Sequence, residues 1–166
     1  MRKLFLCLIA AVLITGCITT GGGAANDSAA QFAGENQDFS DVMGKEWKLL
    51  AVHIDGIDTQ FRRDNQPAGF SRDIFTVKFD DKVISGAGAP NRFSGRYTPG
   101  ENQSLGVTPL ASTQMASFLE PENLREHDFL SYVGNATAWS LTNNGSNLEL
   151  TSVTSDGKPV KMVFGL

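Results

Sequence analysis

Apolar and polar residues alternate in short runs through most of the chain after residue 45. In the clearest run, Phe75, Val77 and Phe79 are separated by Thr76 and Lys78. A strand with one buried face requires this period of two, because successive side chains point to opposite faces. On this basis strands are predicted in residues 46–52, 74–80, 92–97, 138–142, 148–150 and 160–164. Such a series of short strands predicts a fold built around an antiparallel sheet.

Turn signals follow several of these strands. They are Asp80-Asp81, Asn143-Asn144-Gly145 and Asp156-Gly157. Asp, Asn and Gly tolerate the positive φ that tight turns need, so the strands are expected to form antiparallel meanders. Residues 55–73 show no clear period and predict a long exposed loop.

One segment has the period of a helix. Leu124, Phe129, Leu130 and Val133 recur at helical spacing, and Pro121 stands where a first helical residue is favoured. A helix is therefore predicted from Pro121 to Val133. Together the elements predict an α+β fold, either a strongly curved antiparallel sheet or an incompletely closed small β-barrel, with one packed helix.

The N-terminus has the pattern of a bacterial lipoprotein signal peptide. Arg2 and Lys3 precede an apolar run over residues 4–13, and the lipobox Ile14-Thr15-Gly16-Cys17 follows. Such a segment is cleaved before the cysteine, and the run is too short to span a bilayer, which takes about 20 residues. The sequence therefore predicts a signal peptide over residues 1–16 and a covalent lipid on Cys17, with no other cofactor.

The residues after Cys17 have the composition of a tether. Beyond Ile18 and before residue 41, Phe32 and Phe39 are the only large apolar side chains. A segment of this kind buries too little surface to order itself. We therefore expect a lipidated cysteine and flexible tether in residues 17–43, and one domain in residues 44–166.

Charge and cysteine content exclude several functions. The chain has 14 basic and 18 acidic residues. Cleavage of the signal peptide would remove Arg2 and Lys3 and leave 12 basic residues against 18 acidic ones, a net charge of about −6. Nucleic-acid binding requires a basic patch and is not expected. Cys7 leaves with the signal peptide and Cys17 is acylated, so no thiol remains. With two histidines as the other strong ligands, no metal site is expected either.

No catalytic set of residues is visible, and we expect no enzyme activity. The serines lack the G-x-S-x-G turn that exposes a nucleophile. Glu126, His127 and Asp128 point about 100° apart on a helix, so they are predicted to form a solvated helix face.

The glycine-rich segment from Gly86 to Asn91 is predicted to be a tight strand connection. It lacks the Gly-Lys-Ser/Thr of a phosphate-binding loop. Gly86 and Gly88 are expected to adopt conformations closed to other residues, and Asn91 is expected to hydrogen-bond the local backbone.

Several short motifs resemble the META domain, also called the HslJ-like heat-shock lipoprotein domain. They are Trp47-Lys48-Leu49, Ile84-Ser85-Gly86, Asn91-Arg92-Phe93-Ser94-Gly95, Thr113-Gln114-Met115-Ala116, Leu148-Glu149-Leu150 and Met162-Val163-Phe164. The resemblance implies an envelope or cell-surface protein associated with heat response, drug tolerance, motility or virulence, and no established catalysis. Many members carry a pair of cysteines where this chain has Pro90 and Ser117. The resemblance implies that packing replaces that link here.

Two functional hypotheses follow. The first is a lipid-anchored, non-catalytic envelope protein that supports stress or drug tolerance by binding an envelope protein. The second is a carrier or sensor of a lipid or other apolar ligand held in the barrel interior. The candidate partner-binding or ligand-binding residues are Phe79, Asn91, Arg92, Phe93, Arg96 and Trp139.

The membrane is the second expected partner, through the lipid on Cys17. Ile18 follows that cysteine in place of the aspartate that retains many lipoproteins in the inner membrane. Resemblance to that sorting rule predicts a location in the outer membrane, facing the periplasm.

Overall fold

The computed structural model describes residues 37–61, 73–116 and 124–166. The predicted signal peptide, Cys17, Pro121 and Ser117 lie outside the described residues. None of the helices within the described ranges is long and apolar enough to cross a membrane.

Ten strands and one α-helix make up the described domain. The strands are β1 (Glu46–Ile54), β2 (Ile57–Gln60), β3 (Thr76–Asp80), β4 (Val83–Ala87), β5 (Arg92–Pro99), β6 (Leu105–Val107), β7 (Ala111–Ser112), β8 (Ala138–Thr142), β9 (Asn147–Val153) and β10 (Pro159–Gly165). The helix α1 spans Glu126–Gly134, and short 3₁₀ helices span Phe39–Asp41 and Glu101–Gln103.

The strands form one antiparallel sheet that curls into a nearly closed barrel. Eight strands follow the order β6-β5-β4-β3-β1-β10-β9-β8, while β2 pairs with β1 and β7 pairs with β5. The two ends of this path meet at a seam. There Ser104 bridges Ala138, and the Leu105 N–H donates to the Thr137 carbonyl over 2.9 Å. The predicted α+β fold with an incompletely closed barrel and one packed helix is confirmed.

A bulge in β1 accounts for part of the curvature. Residues 46–48 of β1 pair with β3, and residues 51–54 pair with β2 on the same edge. Between them the register with β10 shifts at Leu49 and Ala51. An extra residue on one strand bends that strand and increases its twist, as a small barrel requires.

The period of two places one face of each strand in the barrel core. Trp47 and Leu49 on β1, Val77 and Phe79 on β3, and Phe164 on β10 are fully buried. Burying one such side chain stabilises a fold by about 1.5–3 kcal/mol, so the alternating pattern accounts for much of the driving force for closure.

The turns fall close to the predicted positions. Asn143, Asn144 and Gly145 all have positive φ, at 51°, 54° and 79°. The predicted Asp80-Asp81 turn lies one residue later, because Asp81 and Lys82 carry the positive φ values of 27° and 67°.

The domain begins earlier than predicted, so the tether boundary at residue 43 is corrected. The Phe39 ring packs against Phe79 and Trp139, with centroids 5.3 and 5.0 Å apart. Val42 is fully buried, and its carbonyl accepts a hydrogen bond from Trp47 Nε1 over 2.9 Å. These contacts attach residues 39–42 to the barrel.

The helix begins later than predicted. Arg125 is extended, with φ −75° and ψ 139°, and it caps a helix that starts at Glu126. Phe129 and Val133 are buried as the helical period indicated.

The predicted loop over residues 55–73 contains a strand that the sequence pattern missed. β2 pairs with β1 through a hairpin in which Asp55 and Gly56 have positive φ. Ile57, the large apolar residue of β2, is 71% exposed, so no alternation of burial marks this strand. Residues 62–72 lie outside the described part of the chain.

Candidate functional site

The structure places the six predicted site residues in three environments. One lies in a buried hydrogen-bond network, three lie in the barrel core, and two are exposed on the outer face of β5.

Asn91 holds three segments of the chain together. Its Oδ1 accepts hydrogen bonds from Thr113 Oγ1 over 2.8 Å and from the Met115 N–H over 2.7 Å. Its Nδ2 donates to the Met115 carbonyl over 3.1 Å and to Glu126 Oε2 over 2.6 Å. Asn91 is 7% exposed, and a buried amide with both ends satisfied fixes the geometry around it. Its partners are distant in sequence, so the expected bonding to the local backbone is corrected.

Hydrogen bonds from Asn91 link the β4–β5 turn to the segment before the helix. The resemblance implied that packing would tie these two regions together in place of a cysteine pair. The bonds from Asn91 to Thr113 and Met115 join them directly. Hydrogen bonds therefore hold the turn at Pro90 to residues 113–115.

Glu126 belongs to the same network, and its prediction as part of a solvated helix face is wrong. Its Oε1 accepts from the Ala89 and Asn91 N–H groups, each over 2.6 Å. Asp128 pairs with Arg125, and the exposed His127 points elsewhere, so the three polar groups diverge as predicted. One feature of the sequence could have indicated this role for Glu126. Three and four residues after it, where a cation could pair with its carboxylate on the helix surface, the chain has apolar residues.

The two glycines of the turn are needed for close approach and not for positive φ. A Cβ on Gly86 would lie 1.9 Å from the Thr76 carbonyl oxygen, and one on Gly88 would lie 2.4 Å from Glu126 Oε1. Neither glycine is among the residues with positive φ, so that expectation is corrected. A side chain at residue 88 would displace the carboxylate that binds the turn.

Phe79, Phe93 and Trp139 are core residues. Phe79 is fully buried, and Phe93 and Trp139 are each 4% exposed. The Phe79 and Tyr97 ring centroids are 5.0 Å apart, so these rings are in van der Waals contact and no acyl chain fits between them. Their arrangement is that of a packed core and not of a ligand-lined wall.

Burial also affects the tyrosine in this cluster. Burial raises the pKa of Tyr97 above its ordinary value, and the nearby Asp80 and Asp81 carboxylates raise it further. Burial likewise raises the pKa of Tyr132 on α1, assisted by Asp128. Both phenols therefore ionise at a higher pH than a fully exposed tyrosine.

Arg92 and Arg96 are the two predicted site residues that remain accessible. Both project from the outer face of β5, on either side of Ser94. No ion pair or hydrogen bond joins either guanidinium to another described residue. By contrast, Lys48, Lys78 and Lys161 pair with carboxylates at 2.6, 2.8 and 3.3 Å.

The β4 residues directly opposite the two arginines and the serine between them are uncharged. Ser85 on β4 lies opposite Ser94, and Val83 and Ala87 lie opposite the two arginines. On the other side of β5, Ser112 and Thr113 line a shallow groove of about 280 Å³ with Arg92. The two arginine positions are four residue steps apart along the strand, a distance of about 13 Å. We call this set, Arg92, Ser94 and Arg96 with Ser112 and Thr113, the β5 face.

The two histidines lie at separate places on the domain surface. His53 contacts Asp58 at an exposed hairpin, and His127 lines an open groove with Leu110 and Leu130. Within the described ranges, no three His, Cys, Asp or Glu side chains lie close enough to hold a metal ion.

Comparison with known proteins identifies the fold and the family. The sequence profile of the META domain matches residues 40–163. A solved structure described as the NMR structure of the protein from Burkholderia xenovorans is similar in fold, with a TM-score of 0.52 and 19% sequence identity. The similarity covers 86% of this chain and 98% of that one. No curated protein has a significantly similar sequence.

Proposed function

Because the chain belongs to the META domain family, we propose that it is a lipid-anchored, non-catalytic envelope protein whose domain binds an envelope protein through the β5 face. The observation that carries the proposal is the presence of two guanidinium groups, Arg92 and Arg96, on one strand face, where neither pairs with a described residue. An arginine presents a rigid fork of donors that matches a carboxylate. The matching partner is a protein with an acidic surface.

The charge of the rest of the domain supports this choice. The mature chain is acidic by about six charges, yet the β5 face carries two cations with no carboxylate opposite them. Three of its lysines, by contrast, pair with carboxylates. Complementary charge across an interface steers association and fixes the orientation of the partner.

The anchor is proposed from the lipobox and Cys17, with the outer membrane as its location. A tether of about 20 residues between Cys17 and the domain would span roughly 25 Å, which keeps a small domain clear of the lipid headgroups. The Cys17→Ser variant is expected to lose acyl labelling and to move into the soluble envelope fraction. Retention of this variant in the membrane fraction would refute the anchor.

The binding face is tested separately, by complementation under envelope stress. A strain that lacks the protein is expected to be rescued by the native chain but not by Arg92→Gln/Arg96→Gln. The control is Lys158→Gln/Lys161→Gln, which removes two cations that already pair with Asp55 and Glu149. Full rescue by the arginine variant at native abundance would show that the β5 face is not the binding surface.

The carrier hypothesis has less structural support. A bound acyl chain would need the rings of Phe39, Phe79 and Trp139 to separate, although they now touch at centroid distances of 5.0–5.3 Å. Filled cores of this kind are dense and tolerate little extra volume.

A further inference from the structure

The seam of the barrel is closed partly by a side chain instead of a strand. β8 is the last strand of the sheet path, and its inner neighbour is β9. On its other edge it meets the Ser104 bridge and the Leu105 N–H, which both lie near its N-terminal end. Beyond these contacts, the edge of β8 at Leu141 has no neighbouring strand within the described residues.

Gln37 fills that position. Its Nε2 donates to the Leu141 carbonyl over 2.6 Å, and its Oε1 accepts from the Leu141 N–H over 2.7 Å. One side-chain amide therefore supplies the donor and the acceptor that a paired strand residue would supply. The same Oε1 also accepts from Gln103 Nε2 over 3.1 Å, so the amide reaches both sides of the seam.

Gln37 lies at the start of the described domain. It directly follows residues 1–36, and two residues later the Phe39 ring enters the core against Trp139. A displacement of Gln37 would break its three hydrogen bonds at the seam. The backbone groups of Leu141 then lose their partners, and unpaired groups on a sheet edge are exposed to water.

We propose that Gln37 is a latch that holds the barrel seam closed, and that its release opens the edge of β8 locally while the rest of the sheet stays folded. The proposal does not depend on the β5 face. It assigns to Gln37 a conformational role that the period of two could not reveal, because the residue lies outside every strand.

Amide hydrogen exchange on the full-length protein in detergent tests the latch. The Leu141 amide is expected to exchange about tenfold faster in Gln37→Ala, which corresponds to the loss of one hydrogen bond. The Leu150 amide, in β9 between β8 and β10, is expected to keep its native rate. The matched control is Gln60→Ala, which truncates an exposed glutamine on β2 and is expected to change neither rate.

A second variant separates the two halves of the latch. Gln37→Glu keeps the acceptor for the Leu141 N–H but loses the donor to its carbonyl, so the exchange rate at Leu141 is expected to fall between the native and alanine rates. An unchanged rate at Leu141 in Gln37→Ala would overturn the proposal. An equal rise at Leu141 and Leu150 would also overturn it, because that result means global unfolding and not local opening.

Discussion

Asn91 is the side chain on which the β4–β5 turn depends most. It makes four hydrogen bonds, to Thr113, Met115 and Glu126, and it is almost completely buried. A buried group left without its partner costs about 1–3 kcal/mol, and more where the partner is charged. Its removal therefore leaves the Glu126 carboxylate and the Met115 backbone groups incompletely bonded.

Substitution of Asn91 is expected to destabilise the domain strongly. Asn91→Ala is expected to lower the free energy of unfolding by about 3 kcal/mol in urea titrations. Asn91→Asp is expected to cost at least as much at neutral pH, because it places a second carboxylate beside Glu126 Oε2. Asn147→Ala, at a half-buried residue of β9, serves as the control. An Asn91→Asp variant of native stability would contradict the network.

Tyr97 is expected to make stability fall at alkaline pH. Its pKa is raised by burial in the folded state, so the unfolded chain ionises first. The contribution to stability is complete below the unfolded pKa of about 10 and is lost as the pH rises through the folded pKa. Tyr97→Phe keeps the ring and is expected to flatten the alkaline decline in the free energy of unfolding. The same slope in both proteins would show that another group is responsible.

The sequence predicts a strand well only where apolar and polar residues alternate regularly over several positions. The long half-buried strands, such as β1 and β10, were predictable because their alternation covers several residues. The alternation fails for β2, whose Ile57 faces solvent, and for β4, in which the glycine at residue 86 interrupts the apolar pattern. β6 and β7 span only three and two residues, which is too short for any period to show.

The candidate site was predictable only in part. Alternation on β5 correctly placed Arg92 and Arg96 on the polar face. Residues two or four apart in a strand point to the same face, so this placement needs only their spacing in the sequence. The role of Asn91 depends on Glu126, which lies 35 residues further along the chain. No local pattern relates two residues so far apart, and Gln37 at the seam was missed for the same reason.

The β3–β4 hairpin requires a glycine at residue 86. A Cβ there would meet the Thr76 carbonyl oxygen at 1.9 Å and the Phe93 ring at 2.8 Å. Gly86→Ala is therefore expected to force the strands apart and to lower the free energy of unfolding by about 3 kcal/mol. Gly106→Ala is the matched control, because its Cβ would lie 3.8 Å from the Thr98 carbonyl oxygen. A small and equal effect of the two substitutions would contradict the close approach.

The barrel is closed by contacts of three kinds. Strand pairing forms most of the wall, aromatic rings from Phe39, Phe79 and Trp139 fill one part of the interior, and the Gln37 amide completes the seam. A filled interior leaves the outer surface for the proposed partner. This arrangement favours binding at the β5 face over ligand transport.

The filled interior predicts the mass of the purified protein. Native mass spectrometry of the full-length protein, extracted from its own envelope, is expected to give the mass of the lipid-modified chain with no further bound ligand. The packed rings leave no space between them for an acyl chain. A reproducible additional lipid mass that survives exchange of the detergent would support the carrier hypothesis instead.

The most direct measurement is site-specific photo-crosslinking in intact cells, with a photoreactive residue in place of Ser94 at the centre of the β5 face. We expect one discrete adduct with an envelope protein, lost in Arg92→Gln/Arg96→Gln and retained in Lys158→Gln/Lys161→Gln. A probe at the exposed Thr151 on β9 is expected to give none. No adduct at Ser94, or an adduct that persists without both arginines, would contradict binding through this face.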